Sequence, residues 1–176
     1  MQRFRCPIRV NKDIRWAVWI SAACMMEQAT QELLPTADVL LIEHSTTYAA
    51  YAAQAIRDTR PQTTIDMVTT SEQALYYLFR AGAYASRDSQ SPRLILLNVA
   101  VPGIGSLEVL ERLKRDRIGC AIPVVALALG MESDLVQQFC TRGASSFVAA
   151  PLDPHQYMVM LRHVASYWLN INLSPP

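Results

Sequence analysis

Asn98 closes an apolar run, Arg93-Leu94-Ile95-Leu96-Leu97, and is followed by Val99-Ala100-Val101-Pro102-Gly103, which reads as a loop. A buried strand that runs into a loop delivers its last side chain to the sheet end where open parallel α/β proteins place their chemistry. A carboxylate there can act as a nucleophile. An amide cannot, because it carries no charge and its nitrogen is not nucleophilic. A second strand-like run, Val39-Leu40-Leu41-Ile42, ends in Glu43-His44, one acid and one imidazole, both residue types that ligate metal ions. Two more runs end in Ala126-Leu127-Ala128 and Val148-Ala149-Ala150, the latter followed by Pro151, and bring no chemistry-bearing group.

The elements that must position these residues alternate from residue 38 onward. Strand-length apolar runs fall at 38–43, 63–68, 93–98, 123–128 and 145–149. Helical patterns lie between and after them, at 46–59, 71–81, 107–117, 132–141 and 154–170. Five βα units imply a parallel sheet with helices on both faces. Short right-handed crossovers leave few topologies, of which the flavodoxin-like order 2-1-3-4-5 is the expected one. Local signals agree. Thr70-Ser71-Glu72-Gln73 has capping-box spacing, Asp153-Pro154 sets a capping acid before a proline, and Gly143 falls where a left-handed helix end is wanted. The polar connection 82–92 is longer than usual and reads as surface.

Composition bounds the rest. Hydrophobic residues make up 51% of the 176 and charged residues 18%, so the chain is globular, and the net charge of +1 argues against nucleic-acid binding. Arg3, Arg5, Arg9, Lys12 and Arg15 face one acid, Asp13, in residues 1–15, which leaves the remainder mildly acidic. Cys6, Cys24, Cys120 and Cys140 show neither zinc nor disulfide spacing, and a reducing cytoplasmic setting follows. The start, with Trp16 to Met26 after the basic cluster, is similar to a short signal peptide. Trp16, Trp19, Ala23, Met26 and Leu33 recur at helical spacing, and a helix over about 11–34 is the favoured reading. No run is long enough for a membrane span. The expected organisation is a basic N-terminal extension with a helix over 1–35, a domain over 36–170 and a short tail over 171–176. Gly103 and Gly105 lack phosphate-loop spacing, and His155 and His163 read as surface or packing residues.

Taken in order, Val39-Leu40-Leu41-Ile42-Glu43, Leu94-Ile95-Leu96-Leu97-Asn98, Val101-Pro102-Gly103, Leu107-Glu108-Val109-Leu110, Ile122-Pro123-Val124-Val125 and Pro151-Leu152-Asp153 resemble a response-regulator receiver domain over about 38–170. Ala83-Tyr84-Ala85 in the long connection and the ending Tyr167-Trp168-Leu169-Asn170 are similar to single-domain regulators that partner phytochrome-type histidine kinases. The resemblance implies an acid pair and a phosphoacceptor aspartate that hold Mg²⁺, a hydroxyl and a lysine that contact the phosphoryl group, and an aromatic switch residue. Matched by position, the acid pair is Glu43 and His44, the acceptor Asn98, the hydroxyl position Ala128, the lysine position Ala150 before Pro151, and the aromatic Phe147. Of the five groups that would do the chemistry, only Glu43 is retained.

The expectation is therefore a non-enzymatic pseudo-receiver of a two-component phosphorelay, with no cofactor and with Mg²⁺ binding lost or weak. Its partner would be a sensor histidine kinase or a downstream effector, met by protein–protein contact. The resemblance also implies a homodimer through the fourth and fifth helix face, and a cis peptide at Ala150-Pro151. Two alternatives stand beside this reading: a phosphotransfer receiver with a non-standard acceptor, and a small-ligand binder using room left by the alanines at 128 and 150. Asn98 itself is expected to hold the neighbouring loop through its amide.

Overall fold

The computed structural model describes residues 37–88, 90–129 and 133–173. The expected N-terminal helix, the export-signal reading and the last residues of the tail lie outside the described residues.

The central strands form because their side chains are apolar on both sides. β1 (Val39–Ile42) is buried at every position, as is β3 (Leu94–Asn98). Such runs suit a parallel sheet covered on both faces. β2 (Ile65–Val68), β4 (Val124–Leu129) and β5 (Ser146–Ala150) complete an all-parallel sheet of order β2-β1-β3-β4-β5. Side chains alternate along each strand, so each strand feeds two cores. Leu40, Ile42, Ile95, Leu97, Val124 and Ala126 face α2 (Ser71–Leu78), α3 (Ser106–Arg115) and α4 (Ser133–Thr141). Val39, Leu41, Leu94, Leu96, Val125 and Leu127 face α1 (Thr46–Thr59) and α5 (Pro154–Ser166). This is the flavodoxin-like arrangement expected from the alternating pattern.

Small residues let α1 lie close. Ala49, Ala52 and Ala55 are buried along one face with Ile56. Arg162 from α5 reaches Asp58 at 2.7 Å, and Arg60 Nη1 donates to the Leu169 carbonyl at 3.2 Å. The Asp58 carboxyl is held below the usual range, first by the Arg162 bond and then by Gln54. It is exposed, so its part is alignment more than stability.

Element ends differ from expectation by a residue or two, as frayed ends do, with some larger departures. α2 stops at Leu78, short of Ala81, because Arg80 turns into the left-handed region at φ 52° and Ala81 N–H returns to the Tyr76 carbonyl. Only half of the expected capping box forms. Thr70 accepts from Gln73 N–H, but the Gln73 side chain accepts from Thr69 N–H, one residue earlier. α5 gives way after Ser166 to a π turn over Tyr167–Ile171, closed by Asn172 N–H on the Tyr167 carbonyl at 2.7 Å. The long connection is not wholly at the surface. Arg87 is 4% exposed, with its guanidinium 4.2 Å from the centre of the Tyr77 ring and its Nε donating to the Tyr77 carbonyl. Ala150-Pro151 is trans, against the expected cis form. The trans isomer of an X–Pro bond is intrinsically the lower by about 0.5–1 kcal/mol. Asp153 and Gly143 behave as read. Asp153 accepts from Gln156 N–H at 2.8 Å, and Gly143 sits at φ +94° beyond α4. Among the described residues, no helix is long and apolar enough to cross a membrane.

Among the described residues, one buried side-chain polar atom has no partner. Thr63 is 5% exposed, and its Oγ1 meets no hydrogen-bonding group. Thr63→Val removes an unsatisfied hydroxyl at nearly constant volume, so urea denaturation should show a gain of about 1 kcal/mol. A loss of stability would mean that the hydroxyl is solvated.

Candidate functional site

Parallel pairing sets the site. Ile42 and Leu97 are partners on β1 and β3, so the next residues, Glu43 and Asn98, meet at the C-terminal sheet end. Glu43 is 2% exposed and Asn98 is 7% exposed. Asn98 Nδ2 donates to Glu43 Oε2 at 2.7 Å, while Asn98 Oδ1 accepts from Ala100 N–H at 2.8 Å. The other Glu43 oxygen accepts from Ser45 N–H at 2.8 Å. The two ends of the amide therefore face opposite demands, a carboxylate on one side and an N–H on the other. An amide meets both. An ionised carboxylate has no donor to offer Glu43.

The loop after β3 is tied at further points. Ser106 Oγ donates to the Val99 carbonyl at 2.7 Å, and Ser71 Oγ donates to the Pro102 carbonyl at 2.9 Å. Glu72 accepts from Ile104 N–H at 2.9 Å. Gly103, at φ +109°, lies against the Glu72 carboxylate so closely that a Cβ there would collide with it. Glu72 titrates below the usual carboxylate range, first because of its own backbone N–H, and Ile104 N–H adds to this.

The other sequence-predicted positions surround this pair without joining it. His44 has a side chain 44% exposed, with Nδ1 3.4 Å from Glu43 Oε1. It does not cap α1. That role falls to Ser45, whose Oγ accepts from Tyr48 N–H, because the hydroxyl stands at the N-cap position itself. Ala128 and Ala150 are buried at 4% and 5% exposure. Phe147 is half-buried, its ring edge-on to Phe139 at 5.7 Å. Lys114, the only lysine among the described residues, donates to the Cys120 and Ile122 carbonyls at 3.0 and 2.6 Å. Those carbonyls lie before β4, at the opposite end of the sheet. Burial pushes the Lys114 ammonium down from the usual lysine range.

Two residues that line the site carry no site signal in the sequence. Tyr48 in the first turn of α1 and Tyr157 in the first turn of α5 converge on the crevice, their rings edge-to-face at 4.9 Å. With Glu43, Asn98, Leu127, Leu129 and Ala150 they line a space of about 10 Å³. That is at or below the volume needed for one water. Beside Ala150, one of the two alanines expected to leave room for a small ligand, the Tyr48 and Tyr157 rings take up the space. Burial raises the Tyr157 phenol well above its ordinary value, and the nearby Glu43 charge adds to the shift. Tyr157 counts in the sequence only as one more apolar residue of the last helix. The signal that could have found it is its place three residues after Pro154, on the turn facing Ala150.

A divalent cation of the Mg²⁺ kind wants several hard anionic oxygens. Here one carboxylate is present and both of its oxygens are engaged. Among the described residues, no three His, Cys, Asp or Glu side chains gather closely enough to hold a metal ion. The donor set does not fit the cation.

Comparison with known proteins gives this geometry a context. No family model matches the chain. The crystal structure of the phosphorylated cyanobacterial phytochrome response regulator RcpA superposes with a TM-score of 0.74 at 22% identity, covering 82% of this chain and 99% of that one. A probable methanogenesis regulatory protein, FilR2 of Methanothrix harundinacea, is 26% identical over 137 residues, 78% of this chain and 86% of the relative. The phosphate regulon transcriptional regulatory protein PhoB of Pseudomonas aeruginosa is 33% identical over 82 residues, 47% of this chain. The matched part is only 36% of the length of PhoB. The chain has the receiver fold of response regulators, close in structure to phytochrome-associated members.

Asn98→Asp should cost stability at neutral pH. It replaces a donor 2.7 Å from Glu43 with a second carboxylate, and about 2–3 kcal/mol should be lost in urea denaturation. Two carboxyls at that spacing share a proton, so their folded titration lies above that of the unfolded chain. The penalty is therefore present in full above the raised folded titration, fades as the pH falls through it, and is gone once the pH is below the unfolded carboxylate range. An aspartate variant as stable as the native chain at pH 7 would contradict this geometry.

Proposed function

We propose that this chain is a receiver-type signalling module of a two-component pathway that works by protein–protein contact and without phosphorylation. The observation that carries the reading is the two-way bonding of the Asn98 amide, to Glu43 on one side and to Ala100 N–H on the other. A nucleophile is missing from the acceptor position, and the amide that replaces it is built into the packing. In a phosphorylatable receiver, modification shifts a population between two states. Here the amide holds the loop after β3 in one arrangement, and the protein serves as a fixed surface for its partners.

On this reading the protein is not an enzyme, and its Mg²⁺ affinity is lost or weak. Its partners are signalling proteins, a sensor histidine kinase or a downstream effector, and not nucleic acid. It works in the cytoplasm, as a homodimer through the face formed by α4, β5 and α5. Half-buried apolar side chains on α5, among them Val159, Met160 and Val164, support that face.

One preparation tests the reading. After incubation with acetyl phosphate and Mg²⁺, intact-mass measurement should find the unmodified mass alone. Light scattering on the same sample should give the dimer mass before and after treatment. A labile phosphoryl adduct would refute the phosphorylation-independent reading, and a monomer mass would refute the dimer.

A further inference from the structure

We propose that Tyr48 and Tyr157 form an aromatic plug that keeps a divalent cation and a phosphoryl group away from Glu43, whatever residue stands at position 98. The inference rests on the reading that the crevice has left phosphoryl chemistry, and it names what holds the crevice shut.

Both rings are fixed from their own helix starts. Tyr48 N–H donates to Ser45 Oγ, and the Tyr48 hydroxyl donates to the Leu152 carbonyl at 3.4 Å. That second bond ties the start of α1 to the loop between β5 and α5. Tyr157 N–H donates to the Asp153 carbonyl at 2.9 Å, in the turn that Asp153 caps. Its ring is 2% exposed, and Leu161 and Ala165 continue the same buried face down α5. Tyr51 adds a third ring, edge-on to Tyr48 at 6.3 Å.

The plug and Ala150 are complementary. Ala150 lines the same crevice, whose free space is about 10 Å³. A long cationic side chain at 150 has no volume to enter unless a ring moves. The alanine is thus more than a missing lysine: the tyrosine rings line the space that a lysine side chain there would need. A hydrated divalent cation retains several waters, and the space between the rings and Glu43 has room for about one water. Neither that cation nor a tetrahedral phosphoryl group fits beside Glu43 with both rings in place.

Restoring carboxylates is therefore insufficient, and the proposal separates from the reading beneath it. In the Asn98→Asp/His44→Asp chain, Mn²⁺ followed by water-proton relaxation should bind weakly. Adding Tyr48→Ala, or Tyr157→Leu, should tighten Mn²⁺ binding by about tenfold or more, within the range that shell residues exert on metal sites. Adding Tyr157→Phe, which keeps the ring, should leave it weak. Equal Mn²⁺ affinity with and without the rings would overturn the plug. It would not touch the phosphorylation-independent reading, which the mass of the unaltered protein decides. A second measurement needs no acidic variant. Ala150→Lys should lower the melting temperature, and Tyr48→Ala added to it should restore part of the loss. A lysine accepted at 150 with no loss would also overturn the plug.

Discussion

The bond between the Asn98 amide and the Glu43 carboxylate is the constraint on which the sheet end depends. Glu43 is buried, and a buried carboxylate is costly unless its oxygens are satisfied. Ser45 N–H satisfies one oxygen and Asn98 Nδ2 the other. Those two donors come from the start of α1 and the end of β3, so the acid links the first and third strands at their C-terminal ends. The opposite end of the amide then sets Ala100, and with it the path of the loop towards α3. Replacing the amide by an aspartate would remove the donor and add charge at the point where charge is least tolerated.

The same end of the molecule is closed from the other side by aromatic packing. α1 and α5 run together along one face of the sheet and meet at three levels. Tyr48 and Tyr157 meet near the site, Asp58 and Arg162 further along, and Arg60 and the Leu169 carbonyl beyond them. The crevice is thus the upper end of a continuous helix–helix contact. Glu43 lies under an amide, a backbone N–H and two rings, and the alanine at 150 leaves those rings their space.

Much of the architecture was legible in the residues. The continuous apolar runs at 39–42 and 94–97 demand burial on both faces, and the alternation with helical patterns leaves a parallel sheet as the natural solution. The positions of Glu43 and Asn98 at the sheet end followed from strand length alone. Other features depended on contacts between distant segments. Arg87 looks like a surface residue until the Tyr77 ring comes under it. Gln73 has capping-box spacing, but it caps Thr69 because the backbone enters α2 from that side. The two alanines looked like a vacancy because sequence order gives no sign that the first turns of α1 and α5 face each other. What fills a space is a tertiary property, and periodicity does not report it.

The central claim is that one amide–carboxylate contact organises this end of the sheet, and a double-mutant cycle measures that contact most directly. Glu43→Ala, Asn98→Ala and the double variant, compared with the native chain by urea denaturation at neutral pH, give the coupling energy. The account predicts a favourable coupling of about 1.5–3 kcal/mol, the range for a hydrogen bond to a charged group. A coupling near zero, with the two single losses simply adding, would show that Asn98 and Glu43 act independently and would contradict the account.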